Sequence, residues 1–220
     1  MKSKILLIVS TALILAALAM VFMFVPTDTK QGVTQRIFYF HVPVAWIAFF
    51  AFFITFMAGI VYLVKRNLFW DIVASASAEI GLLFTSLILI TGSIWARPVW
   101  GEWWVWDARL TASLVLWLIY VAYFVIRAYV IDEERRARFA AVVGIIGFVD
   151  VPIVALSIQL SGSQHPSAGI FQGGVKGLML VTLLLSIAAF TALYLLFMAV
   201  GIYIKKDERE LVILKEAVKE

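Results

Sequence analysis

Two residue types carry most of the chemistry open to this chain. Histidine occurs twice, at His41 and His165, and five of the eight tryptophans crowd into one short stretch as Trp95, Trp100, Trp103, Trp104 and Trp106. Neutral imidazole is a common metal ligand and a frequent axial ligand of haem iron. Neither histidine has a second imidazole three or four positions away, so a chelating pair on one helical turn is impossible. Two ligands must come from separate segments, as they would on opposite faces of a porphyrin. A histidine at a helix end is also commonly just a satisfied polar side chain, and that reading stands beside the first. Cysteine is absent, which removes disulfides, thiolate metal sites and thiol nucleophiles.

If the stretch from Trp100 to Asp107 is helical, Trp100, Trp103, Trp104 and Asp107 share one face and Trp106 lies off it; Pro98 and Gly101 also allow an irregular loop there. Such a stripe is flat, apolar and rigid, with an indole N–H on each ring, and suits a planar hydrophobic ligand or an apolar partner surface. The plainer explanation is interfacial anchoring, but belts draw their tryptophans from many helix ends and here one connection holds most of them. Arg36, Arg97, Arg109 and Lys176 are cationic candidates for an anionic ligand edge; arginine near a membrane end also snorkels or binds phospholipid.

The elements that must position these residues follow from composition. Of 220 residues, 64% are hydrophobic and 15% charged, with a mean hydropathy of +1.01, which excludes a water-soluble globule. A bilayer core about 30 Å thick takes roughly 20 helical residues to cross. Six apolar runs meet that length: Ile5 to Val25, Val42 to Val64, Ser75 to Trp95, Leu110 to Val130, Phe139 to Leu160 and Gly177 to Ile204. They are continuously apolar, which excludes the alternation of a membrane barrel. The expected fold is an all-α integral membrane protein, a six-helix bundle forming a single domain over residues 1–220, with the Trp-rich segment 95–109 between helices 3 and 4. The first run continues through Phe22 and Phe24, longer than a signal-peptide core, and reads as an uncleaved span.

Direction follows from the basic residues. With the N-terminus inside, thirteen of the eighteen Lys and Arg residues fall on the inner side, and Lys30, Arg36, Arg97, Arg109 and Lys176 on the outer. Both termini are then cytoplasmic, and His41, His165 and the tryptophan cluster share the outer face. The net charge of +4 encodes orientation; no dense basic stretch on a soluble scaffold supports nucleic-acid binding. Glu79 and Asp150 lie within spans, where acids are costly. Asp150, beside the break expected at Pro152, is read as structural, since a lone acid is no proton relay.

Thr91-Gly92-Ser93, followed by Trp100-Gly101-Glu102-Trp103-Trp104-Val105-Trp106-Asp107-Ala108-Arg109-Leu110-Thr111, closely resembles the signature of the Trp-rich haem-handling superfamily of cytochrome c maturation. Phe40-His41-Val42-Pro43 and Val151-Pro152-Ile153 extend the resemblance over most of the chain. Longer relatives tend to have Pro-Lys after the Trp-Asp pair and further intramembrane histidines; Ala108-Arg109 and the absence of a third histidine are similar to the short branch, the cytochrome c maturation protein C family.

The resemblance implies haem b at the outer face with His41 and His165 as axial iron ligands. It implies that Trp100, Trp103, Trp104, Trp106 and Asp107, with Arg97 and Arg109, hold the cofactor and present it to a periplasmic haem chaperone, cytochrome c maturation protein E. It further implies an ATP-binding-cassette complex and a small membrane partner, in the cytoplasmic (inner) membrane with the working face periplasmic. No catalytic residue is expected, and the chain is read as a binding and delivery protein, not a stand-alone enzyme. The rival reading is a haem exporter permease subunit that carries haem across the bilayer. That role calls for ligating groups through the bundle, where the sequence places few.

Overall fold

Helices dominate because the apolar runs have no water to satisfy their backbone groups, and internal i→i−4 hydrogen bonding is the solution open to a single segment in lipid. The computed structural model describes residues 2–29, 31–161 and 175–218. Helix α1 spans Lys2–Ala19 and continues as one wider turn over Met20–Phe24; a tight turn at Val33–Ile37 leads into α2, Phe38–Lys65. Then come α3 (Leu68–Trp100), α4 (Ala108–Tyr129), α5 (Glu133–Phe148), α6 (Asp150–Ser161) and α7 (Leu178–Ala217). Among the described residues, six helical stretches are long and apolar enough to cross a membrane: Lys4–Phe24, Val33–Lys65, Leu68–Trp100, Ala108–Tyr129, Glu133–Ser157 and Leu178–Lys215. The six-span membrane fold read from the sequence is the fold observed.

The helices overrun the apolar windows wherever a cap allows it. The third span begins at Leu68 and not near Ser75, because the Asn67 side chain accepts the Phe69 N–H at 2.9 Å and caps the helix there. It also runs on through Pro98 to Trp100. The fifth span divides at Val149, near the break expected at Pro152, whose missing N–H leaves the Phe148 carbonyl without its helical donor. Asp150 is the first residue of α6. Its Oδ2 is buried without a hydrogen-bond partner among the described residues.

Small side chains let the central pair approach. Ala48 and Ala51 on α2 meet a stretch of α3 in which Ala74 to Ala78 are all buried, as expected where packing and not hydrophobicity drives helix association in lipid. The Phe52 and Tyr120 rings stack at 3.6 Å, and the Tyr120 hydroxyl donates to the Gly144 carbonyl at 3.2 Å, joining α2, α4 and α5.

At the end carrying the short connections 66–67 and 130–132, ion pairs tie the helices. Arg127 on α4 forks onto both oxygens of Asp71 on α3, at 2.6 and 2.9 Å, with the two side chains only 16% and 8% exposed. Glu79 pairs with Lys205 on α7 at 2.5 Å, which gives the in-span acid its partner, and Glu133 on α5 pairs with Arg209 on α7 at 2.8 Å. Removing one partner of a buried pair strands the other's charge. Arg127→Met is therefore expected to cost about 3–5 kcal/mol, whereas Glu133→Gln, at the half-exposed pair, should cost about 0–1 kcal/mol. Thermal unfolding of the detergent-solubilised protein checks the order; equal losses would place the Asp71 carboxylate in water.

Candidate functional site

The opposite end of the bundle gathers the imidazole and the indoles. His41 is the fourth residue of α2 and only 5% exposed, so its ring is held by protein and not by solvent. Its Nδ1 lies 2.8 Å from the Thr91 hydroxyl oxygen on α3, and that hydroxyl donates to the Leu87 carbonyl at 2.6 Å. One residue on, a side chain at Gly92 would bring a Cβ to 3.3 Å from His41 Cε1, so the lack of one is what lets the ring lie against the helix. Trp95, a turn further along α3, meets the imidazole edge-on with centroids 5.7 Å apart. Its indole N–H donates to Gln31 Oε1 at 3.3 Å, which anchors the ring to the connection before α2.

His41 forms part of the wall of a partly open pocket. The wall is mostly apolar and comes from four helices: Phe49 from α2, Ile88, Trp95 and Trp100 from α3, Arg109 from α4 and Val154 from α6. Trp104 completes it from the connection, and its Nε1 is buried with no hydrogen-bond partner among the described residues. Among the described residues no three His, Asp or Glu side chains converge as a metal cage. One imidazole in an apolar wall suits a metal whose other positions are already filled by its own organic ligand, not a bare ion.

The stretch between α3 and α4 corrects the expected geometry. Helix α3 stops at Trp100, Gly101 takes a left-handed turn with φ +83°, and regular structure resumes only at Ala108. No helical face is therefore shared by Trp100, Trp103, Trp104 and Asp107. Glycine permits the reversal, and the Arg97 guanidinium holds it by donating to the Gly101 carbonyl. Asp107 accepts the Leu110 N–H at 2.8 Å as the N-cap of α4. The tryptophans consequently divide. Trp100 and Trp104 line the pocket, while Trp103 and Trp106 are 59% and 74% exposed, with Trp106 edge-on to Trp104 at 5.6 Å.

Of the cationic candidates, Arg109 lines the pocket; Arg97 serves the turn, and Arg36 lies over the Phe22 ring at 5.7 Å. His165 lies outside the described residues, so its distance from His41 is not part of this geometry. Sequence reasoning did not single out Ala45 and Phe49, which follow His41 at helical spacings of four on the same face of α2. That periodicity was the available signal. Gln31, which reaches Trp95 from 64 positions away, had none.

Residues 2–215 match the sequence profile of the family described as Heme exporter protein C. The chain is 40% identical over 172 residues to the Heme exporter protein C of Bradyrhizobium diazoefficiens, covering 77% of this chain and 65% of that protein. It is 36% identical over 172 residues to the Heme exporter protein C of Escherichia coli (strain K12), covering 78% of this chain and 70% of the relative. A putative cytochrome c biosynthesis ccmC-like mitochondrial protein of Marchantia polymorpha is 32% identical over 190 residues, covering 86% and 78%. The chain thus spans just under two thirds of the Bradyrhizobium relative's length. With a profile that runs through all six spans and the Trp-rich connection, the chain belongs to the Heme exporter protein C family.

Proposed function

We propose that this chain handles haem in cytochrome c biogenesis, binding it as cargo at the Trp-rich end of a single six-span domain and giving it up to a periplasmic haem chaperone. The observation that carries the reading is a buried imidazole in the wall of an indole-lined pocket, His41 beside Trp95, Trp100 and Trp104. The residues present suit a porphyrin. His41 offers a nitrogen to the iron, the indoles offer flat apolar surface to the ring, and Arg109 offers a cation to a propionate. The unsatisfied Trp104 N–H offers a donor to a polar ligand edge, and occupation would relieve the cost of burying it. His165 is proposed as the second axial ligand on the strength of the family resemblance.

The exposed rings of Trp103 and Trp106 are assigned to the chaperone, cytochrome c maturation protein E. Large exposed rings beside a pocket offer a surface that a partner can cover. Export partners, an ATP-binding-cassette complex and a small membrane subunit, follow from the family's name and its resemblance. Delivery and not chemistry is the proposed role: the site has a ligand and a greasy wall, and the bonds made to haem afterwards belong to the partner. The basic-residue bias supports an inner-membrane protein with this site on the periplasmic side.

Three measurements test the reading. Haem content of the purified protein, read from its visible spectrum, is expected to fall at least about tenfold in His41→Ala and in His165→Ala, the scale of a lost iron ligand. Unchanged content in both overturns the axial assignment. Trp103→Ala and Trp106→Ala are expected to retain haem while losing capture of the chaperone, and Trp104→Ala to lose haem. Because the chain has no cysteine, single Glu102→Cys and Ile131→Cys variants report sidedness directly. Glu102→Cys should react with an impermeant thiol reagent from the periplasm and Ile131→Cys should not; the reverse pattern overturns the orientation.

A further inference from the structure

The function proposed above uses His41 but leaves unexplained why the neighbouring residue on α3 is Thr91. A buried neutral imidazole has two tautomers, and only one leaves a given nitrogen with a lone pair for a metal. The Thr91 hydroxyl has one proton, and at 2.6 Å from the Leu87 carbonyl that proton is spent within α3. Its oxygen can then meet His41 Nδ1, 2.8 Å away, only as an acceptor. The imidazole must supply the proton, which leaves Nε2 as the nitrogen with electrons to give. The ring is also fixed in place: Gly92 lets it lie against α3 and Trp95 stands at its edge.

We propose that Thr91 is a positioning residue for haem capture, accepting a hydrogen bond from Nδ1–H of His41 so that the ring is held as the tautomer whose Nε2 ligates iron. The inference rests on the reading of His41 as an iron ligand. A donor bond from Nδ1–H also makes the imidazole a stronger base toward the metal, so Thr91 sets the strength of the ligand as well as its direction.

The test uses the full chain in detergent or nanodiscs. With ¹⁵N-labelled histidine and only two imidazoles, the ring nitrogens of the haem-free protein are assigned by comparison with His165→Gln. At a pH where the ring is neutral, His41 should show a protonated Nδ1 and an unprotonated Nε2. In Thr91→Val, which keeps the branched shape and loses the hydroxyl, that preference should disappear. Haem affinity should fall about 10–100-fold, and the reduction potential of bound haem should rise. Thr91→Ser restores the hydroxyl and should restore all three readouts. A wild-type ring protonated on Nε2, a Thr91→Val protein with unaltered affinity and potential, or a Thr91→Ser protein as impaired as Thr91→Val would each overturn the proposal. If His41→Ala binds haem as tightly as wild type, the ligand assignment itself fails and takes this inference with it. A normal result for Thr91→Val beside a defective His41→Ala overturns the positioning role alone.

Discussion

The close approach of α2 and α3 is the constraint on which the rest of the molecule depends. In lipid no hydrophobic gain remains for bringing two helices together, so contact must come from shape and from polar groups that find each other. Along this pair alanines and serines clear the way, and Ser77 uses the opening to donate to the Ala51 carbonyl on the facing helix at 2.7 Å. At one end of the same interface His41 rests on Thr91, Gly92 and Trp95. A polar ring could not be buried there if the backbones stood further apart, because neither the hydroxyl nor the indole would reach it.

The two ends of the bundle solve opposite problems. Toward the short connections, cross-helix ion pairs tie α3 to α4 and α7, and α5 to α7, with each charge matched by its partner. Toward the Trp-rich connection, the described residues show matched polar contacts around His41 and Trp95 but an indole N–H left over at Trp104 and a pocket between four helices. Ion pairs at one end hold the helices in register, and a buried donor beside a pocket at the other has binding capacity to offer. Glu79, the acid flagged within the third span, lies on the exposed side of α3 and is engaged there by Lys205.

The connection between α3 and α4 shows how local chemistry and site geometry are coupled. Gly101 turns the chain, Arg97 holds the turn and Asp107 starts the next helix. Those roles send Trp100 and Trp104 inward and leave Trp103 and Trp106 in the open. Four indoles close together along the chain thereby divide into a pocket wall and an exposed surface.

The number of spans, their approximate limits, the meeting of His41 with the Trp-rich connection at one end of the bundle, and the family were all legible in the amino-acid sequence. Hydropathy and charge bias act locally, and each crossing declares itself in its own twenty or so residues. Between Trp100 and Asp107 the sequence left a helical face and an irregular loop at Pro98 and Gly101 both open, and the left-handed turn at Gly101 with the cap at Asp107 decides for the loop. The placement of His41 against Thr91, 50 positions later, and the sorting of the tryptophans were decided only by the tertiary structure. Such contacts depend on how far each helix is rotated and how closely it crosses its neighbour, quantities set by packing across the whole bundle and carried by no single segment.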